Sequence, residues 1–143
     1  MRCADVNVLV YAHRPESPHH AETLDWLEAA RRSDEPLGLT DLALSGFVRI
    51  VTNPRIFRDP TPIEVALTFV DDLLASPAAL RLAPGPRHWS VFRRLCVSLG
   101  LRGGLVTDAY LAAVAIETGA TLITTDRDFA RFPGLRWQHP LDG

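Results

Sequence analysis

The chain has 143 residues, 47% of them hydrophobic and 22% charged, and a formal net charge of −2. Those values suit one soluble globular domain with one substantial core, spanning 1–143, and exclude a generally basic nucleic-acid binder. All 15 basic residues are arginine, which excludes chemistry built on a phosphate-gripping lysine, a Schiff-base lysine or a receiver-type acid–lysine cluster.

No apolar run approaches a membrane span, and the start, Met1 to Asp5, lacks a signal-peptide core. Cys3 and Cys96 are too few for a disulfide scaffold and have no CxxC spacing, so both read as buried thiols in a reducing cytoplasm. Guanidinium groups suit bidentate contacts to phosphate. A GC-rich coding bias also accounts for arginine in place of lysine.

In chain order, Arg2 to Asp5 is a short extended start. The apolar run from Val6 to Ala12 fits either one buried strand or a helix beginning near Asn7. Asp5 is then either a strand-end ligand or a helix cap. Ser17-Pro18 predicts an N-cap and first turn, with Ala21, Leu24, Leu27 and Ala30 as a buried stripe. His19 and His20 lack a spaced partner and read as solvated. Leu37 to Leu39 is a short strand. Thr40-Asp41 opens a helix whose core face is Leu44, Phe47, Val48 and Val51. Gly46 costs that helix about 1 kcal/mol relative to alanine, so something is expected to approach its backbone closely. Asn53-Pro54 ends it.

Thr61-Pro62-Ile63-Glu64 has the form of a capping box before a wide apolar face, Val65 to Leu74. Ala79 to Leu82 predicts a strand. The next helix carries Trp89, Phe92, Leu95, Cys96 and Leu99 and ends at Gly100. Leu101 to Val106 reads as a glycine-containing loop. Asp108 then falls on the first turn of an apolar helix running to Thr118. After Gly119 comes a buried strand, Thr121 to Thr124, then Asp126 and Asp128. Leu135 to Trp137 is the last strand, and the end is loop.

Helices alternating with short apolar strands predict an α/β fold with a mainly parallel sheet covered on both faces. Ligands of such sheets bind beyond the carboxyl ends of the strands. Asp5, Asp108 and Asp126 can meet there, and like charges at one place call for a hard cation. Taken singly, each has a plain structural use: a cap for Asp5, a helix start for Asp108, an Asx turn for Asp126 and Asp128. Together they point to metal-assisted hydrolysis of a phosphate ester.

Four segments carry a family resemblance: Asp5-Val-Asn7-Val-Leu, Phe47-Val-Arg49-Ile-Val-Thr52-Asn53-Pro54-Arg55, Asp108-Ala-Tyr-Leu-Ala-Ala, and Thr124-Thr-Asp126-Arg-Asp128-Phe129. In these the chain resembles PIN-domain proteins, specifically the VapC toxins of VapBC toxin–antitoxin pairs. The resemblance implies a PIN-like three-layer α/β/α sandwich. It also implies a Mg2+- or Mn2+-dependent endoribonuclease acting on RNA, forming a homodimer and held inactive by a VapB-type antitoxin, with no membrane partner. It implies Asp5, Asp108 and Asp126 as metal ligands and catalytic acids, with Asp128 supporting them. Asn7, Arg49 and Thr124 form the expected substrate-side group, the first and last by ordering the site and Arg49 by meeting phosphate or antitoxin.

One position departs from the family pattern. Many VapC proteins carry a glutamate where this chain has Gly46. Asp41 is the nearest acid, five residues earlier and on a different helix face, so one well-held ion is expected and a second is weak. A binding module that does not cut RNA is the alternative. A phosphatase using Asp5 as nucleophile is disfavoured by the absence of lysine and of an acid at Asn7.

Overall fold

The computed structural model describes residues 1–142, so the last residue of the expected terminal loop lies outside them. Five strands, β1 (Arg2–Ala4), β2 (Leu37–Thr40), β3 (Ala79–Leu82), β4 (Thr121–Ile123) and β5 (Arg136–Gln138), form one sheet in the order β3-β2-β1-β4-β5. Every pairing is parallel, with Cys3 opposite Gly38 on one side and Leu122 on the other. Parallel neighbours need crossovers, which here run through helices. These are α1 (Val6–His13), α2 (His20–Arg31), α3 (Asp41–Val51), α4 (Ile63–Leu74), α5 (His88–Leu99) and α6 (Gly104–Thr118), with a 3-10 turn at Arg127–Arg131.

Alternation along β1 sends successive side chains to opposite faces. Ala4 joins a core with Leu9, Leu27, Phe47 and Leu73 from α1 to α4, whereas Cys3 joins one with Leu95, Ala112, Leu122 and Phe129. Helices therefore cover both faces, giving the expected α/β/α sandwich. Phe47 is wholly buried and stacks on Phe69 at 4.7 Å between ring centres, a burial worth about 1.5–3 kcal/mol.

Val6 to His13 resolves to a helix, and Asp5 is at once the residue after β1 and the N-cap of α1. Gly46 has the close neighbour its cost implied: a Cβ there would lie 2.7 Å from Val6 Cγ2. The glycine lets α3 lie against α1 and thereby sets how Asp5 sits relative to α3.

Several local expectations are corrected. The second helix begins at His20, not Pro18, because His19 takes a left-handed conformation with φ 52° before it. The capping box at Thr61 does not form. The Thr61 hydroxyl instead bonds His13 Nε2 at 3.1 Å and accepts from Arg14 at 3.0 Å, and Pro62 takes the cap position with no side-chain bond. On α5 the buried residues are Leu95 and His88, the latter not singled out by the sequence, while Trp89 is 66% exposed and Leu99 is exposed as well. Cys3 is buried, and burial with the nearby Asp5 pushes its thiol up to about 12. Cys96 is only half-buried. Among the described residues, no helix is long and apolar enough to cross a membrane.

Candidate functional site

The strand order reverses at β1. From there the chain builds β2 and β3 on one side and β4 and β5 on the other. Side chains just beyond the carboxyl ends of β1 and β4 thus stand at a topological switch point, where ligands of open parallel sheets bind. Asp5 follows β1, and Thr124 and Asp126 follow β4. The two ends are tied together by the Asp5 N–H, which donates to the Ile123 carbonyl at 2.9 Å.

Thr124 is wholly buried and orders the acids. Its hydroxyl donates to Asp5 Oδ2 at 2.8 Å and accepts from the Asp126 N–H at 3.0 Å and from Asn7 Nδ2 at 3.4 Å. Asn7 Oδ1 accepts from the Thr125 N–H at 3.2 Å, so Asn7 fastens α1 to the turn after β4. Asp5 Oδ1 accepts from the Val6 N–H at 2.7 Å. Asp126 Oδ1 accepts from the Asp128 N–H at 2.9 Å and caps the 3-10 turn. These bonds suit the ordering role expected of Thr124 within the substrate-side group.

Asp108 arrives from α6. That helix begins at Gly104, because Gly103, with φ 62° at the cap, turns the chain into it. The loop expected through Val106 is therefore shorter, and Asp108 is the fifth helical residue and not part of the first turn. Stabilisation by the helix dipole fades beyond the first turn, so the plain reading of Asp108 loses its physical basis.

The electrostatics report that these acids share a region. Asp5 is 7% exposed, and its carboxyl is pushed up to about 6. Burial is the main cause, opposed by the bonds from Thr124 and Val6 and reinforced by the charges of Asp108 and Asp126. Asp108 is also raised, by burial and then by Asp126, with Arg131 opposing and Asp128 adding to the rise. Among the described residues none of Asp5, Asp108 and Asp126 forms an ion pair. Asp128 is well exposed and pairs with Arg131 at 3.6 Å, on the outer side of the cluster.

A cavity of about 560 Å³ opens beside Asp5 and Asp108 and is lined also by Val6, Gly46, Arg49 and Thr107. Arg49 is exposed, lines this cavity and has no ion-pair partner among the described residues. Asp41 does not line it. Asp41 pairs with Arg81 across an adjoining hollow, so it supplies nothing in place of the acid absent at Gly46. As the side chains stand, no three His, Cys, Asp or Glu of the described residues enclose a common point as metal ligands. The donor set is nonetheless all carboxylate oxygen, the kind a hard divalent cation takes, and its uncompensated repulsion is what such a cation relieves. In donor chemistry the residues fit.

The chain matches the PIN domain family model over residues 2–135. It is 54% identical over 143 residues to the VapC ribonuclease Mb2897 of Mycobacterium bovis, covering 100% of this chain and 97% of that protein. It is 54% identical, with the same coverage, to Ribonuclease VapC43 of Mycobacterium tuberculosis. In fold it is similar to VapBC2 from Rickettsia felis bound to a DNA fragment from their promoter. That likeness has a TM-score of 0.71 at 20% identity and covers 96% of this chain and 97% of that one.

Proposed function

We propose that this chain, which belongs to the PIN-domain family and to its VapC branch, is the ribonuclease toxin of a toxin–antitoxin pair. It hydrolyses RNA phosphodiester bonds with Mg2+ or Mn2+ held by Asp5, Asp108 and Asp126. The observation that supports this reading is that the charges of Asp108 and Asp126 both reach the buried Asp5 carboxyl, and that none of the three acids is ion-paired among the described residues.

A divalent ion bound there supplies positive charge beside the phosphate and a water of lowered pKa. The chain's own residues do the rest. Thr124 and the Val6 N–H hold Asp5 in one orientation, leaving its remaining lone pairs for the ion. Asp126 is fixed through its own N–H on Thr124. Asp128 adds to the negative charge felt at Asp108, and Arg131, its ion-pair partner, tempers it. Arg49, free of any acid, offers its guanidinium to a phosphate oxygen of the RNA or to an acidic group of an antitoxin. With Gly46 in place of an acid, one ion is well held and a second is weak.

The Rickettsia felis structure is of VapBC2 bound to promoter DNA, which supports a VapB-type antitoxin as partner here. A homodimer working in the cytoplasm completes the reading. The test is incubation of total cellular RNA with the protein, with Mn2+ or with chelator, beside Asp108→Asn. Cleavage that needs Mn2+ and is lost in the variant is the expected result. Identical patterns in every lane would leave a binding module and overturn the reading.

A further inference from the structure

The hollow beside the acidic cavity is the larger of the two, about 730 Å³, within the range of small-molecule sites. The two share Leu42, Ser45 and Thr107 as lining, and Thr107 directly precedes Asp108. Phe92 and Tyr110 form an aromatic wall, edge to face at 5.6 Å between ring centres. That wall is held from behind. His88 is 3% exposed, its ring lies 4.4 Å from that of Tyr110 and parallel to Phe92, and its Nε2 bonds the Tyr110 carbonyl at 3.0 Å. The exposed Trp89 stands 5.4 Å from Phe92.

Opposite chemistry lines the other side. The Thr107 hydroxyl, the Ser45 oxygen (an acceptor, since that hydroxyl donates to the Asp41 carbonyl at 2.7 Å) and the exposed Arg81–Asp41 pair give hydrogen-bonding groups to an otherwise apolar space. A rigid aromatic wall with a few hydrogen-bonding groups beside it suits a flat, polar-edged ring. Sequence-selective RNA binding works in this way, by stacking an unpaired base on an aromatic side chain and bonding its edge.

We propose that this hollow is a base subsite, taking the unstacked nucleobase of a nucleotide adjoining the phosphodiester held at the acids. The inference rests on the nuclease reading above and adds to it a substrate-selecting wall made of Phe92 and Tyr110. The shared lining is what links the two: Thr107 lines both cavities and directly precedes Asp108, so a strand passing the acids runs on into the hollow.

The experiment uses the full chain, 15N-labelled and without metal, titrated with AMP, GMP, CMP and UMP and separately with ribose 5-phosphate. At least one nucleotide is expected to shift the Trp89 indole and the Ser45 and Thr107 amides saturably, while ribose 5-phosphate leaves them in place. Ala83→Trp, at an exposed position lining the hollow, is expected to abolish those shifts. In RNA cleavage it raises KM about ten-fold, the size of one lost stacking contact, with metal dependence retained. Equal shifts from ribose 5-phosphate, no shift from any probe, or an unchanged KM in Ala83→Trp would overturn the subsite. Shifts that follow protein dilution alone would do so too, because a second copy would then cover the hollow. Failure of the unaltered protein to cut RNA in the presence of Mn2+, with the nucleotide shifts intact, would sink the nuclease reading and leave the base site standing.

Discussion

The contact between α1 and α3 yields a prediction whose sign turns on one methyl group. In a helix interior, replacing glycine by alanine stabilises by about 1 kcal/mol. A Cβ at Gly46 would, however, sit 2.7 Å from Val6 Cγ2, and Val6 is β-branched and stiff about its first side-chain torsion. Overpacking of this kind costs about 1–3 kcal/mol. The crowding wins, so Gly46→Ala is expected to destabilise by about 1 kcal/mol. In a Val6→Ala background the obstructing methyl is gone, and the same substitution should stabilise by about 1 kcal/mol. Urea denaturation of the four proteins of this cycle reads the coupling directly, about 2 kcal/mol. If Gly46→Ala stabilised both backgrounds alike, close approach of the helices would not be what keeps glycine there. The same obstruction faces a restored acid: Gly46→Glu should raise activity only when Val6 is trimmed as well.

Three further outcomes follow from the acidic cluster. Asp5 binds its proton more tightly folded, at about 6, than unfolded, at 3.8. Its contribution to stability is therefore greatest below pH 4 and falls as pH rises to 6, by about 3 kcal/mol, then levels off. Denaturation of the metal-free protein across that window should show the fall, and saturating Mn2+ should reduce it. Asp108→Asn removes a like charge that has no bonded partner, so it should stabilise the metal-free protein by about 0.5–1 kcal/mol while abolishing cleavage; a variant that is both inactive and unstable would contradict the repulsion. Thr124→Val strips a buried donor from Asp5 and an acceptor from the Asp126 N–H. It should cost about 2–3 kcal/mol, with Thr124→Ser largely restoring both stability and activity.

How far the chain could be read beforehand follows from what each residue answers to. The sheet and its helices were legible because buried parallel strands and amphipathic helices leave local patterns. The places of Asp5, Asp108 and Asp126 next to β1, within α6 and after β4 were legible because each stands beside such an element. Thr61 misled because its hydroxyl serves His13 and Arg14, more than forty residues away in the chain, and no local pattern carries that contact. His88 went unread for the same reason: its partners are Tyr110 and Phe92, and histidine at a helix start ordinarily faces water. The start of α6 was hidden by the Gly103-Gly104 pair, which reads as loop until the left-handed conformation of the first glycine is known. Gly46 announced a close neighbour but not which one; Val6 is visible only in the folded chain.

The pairing of β1 with β4 joins residues some 120 positions apart, and long-range strand pairing of this kind forms late. On the ribosome, Asp5 emerges early and then waits without its neighbours until the segment carrying Asp126 has been made. In a nascent or truncated chain Asp5 therefore lacks both the Thr124 hydroxyl that holds its carboxylate and the charge of Asp126, and the switch point between β1 and β4 is completed only once β4 has arrived.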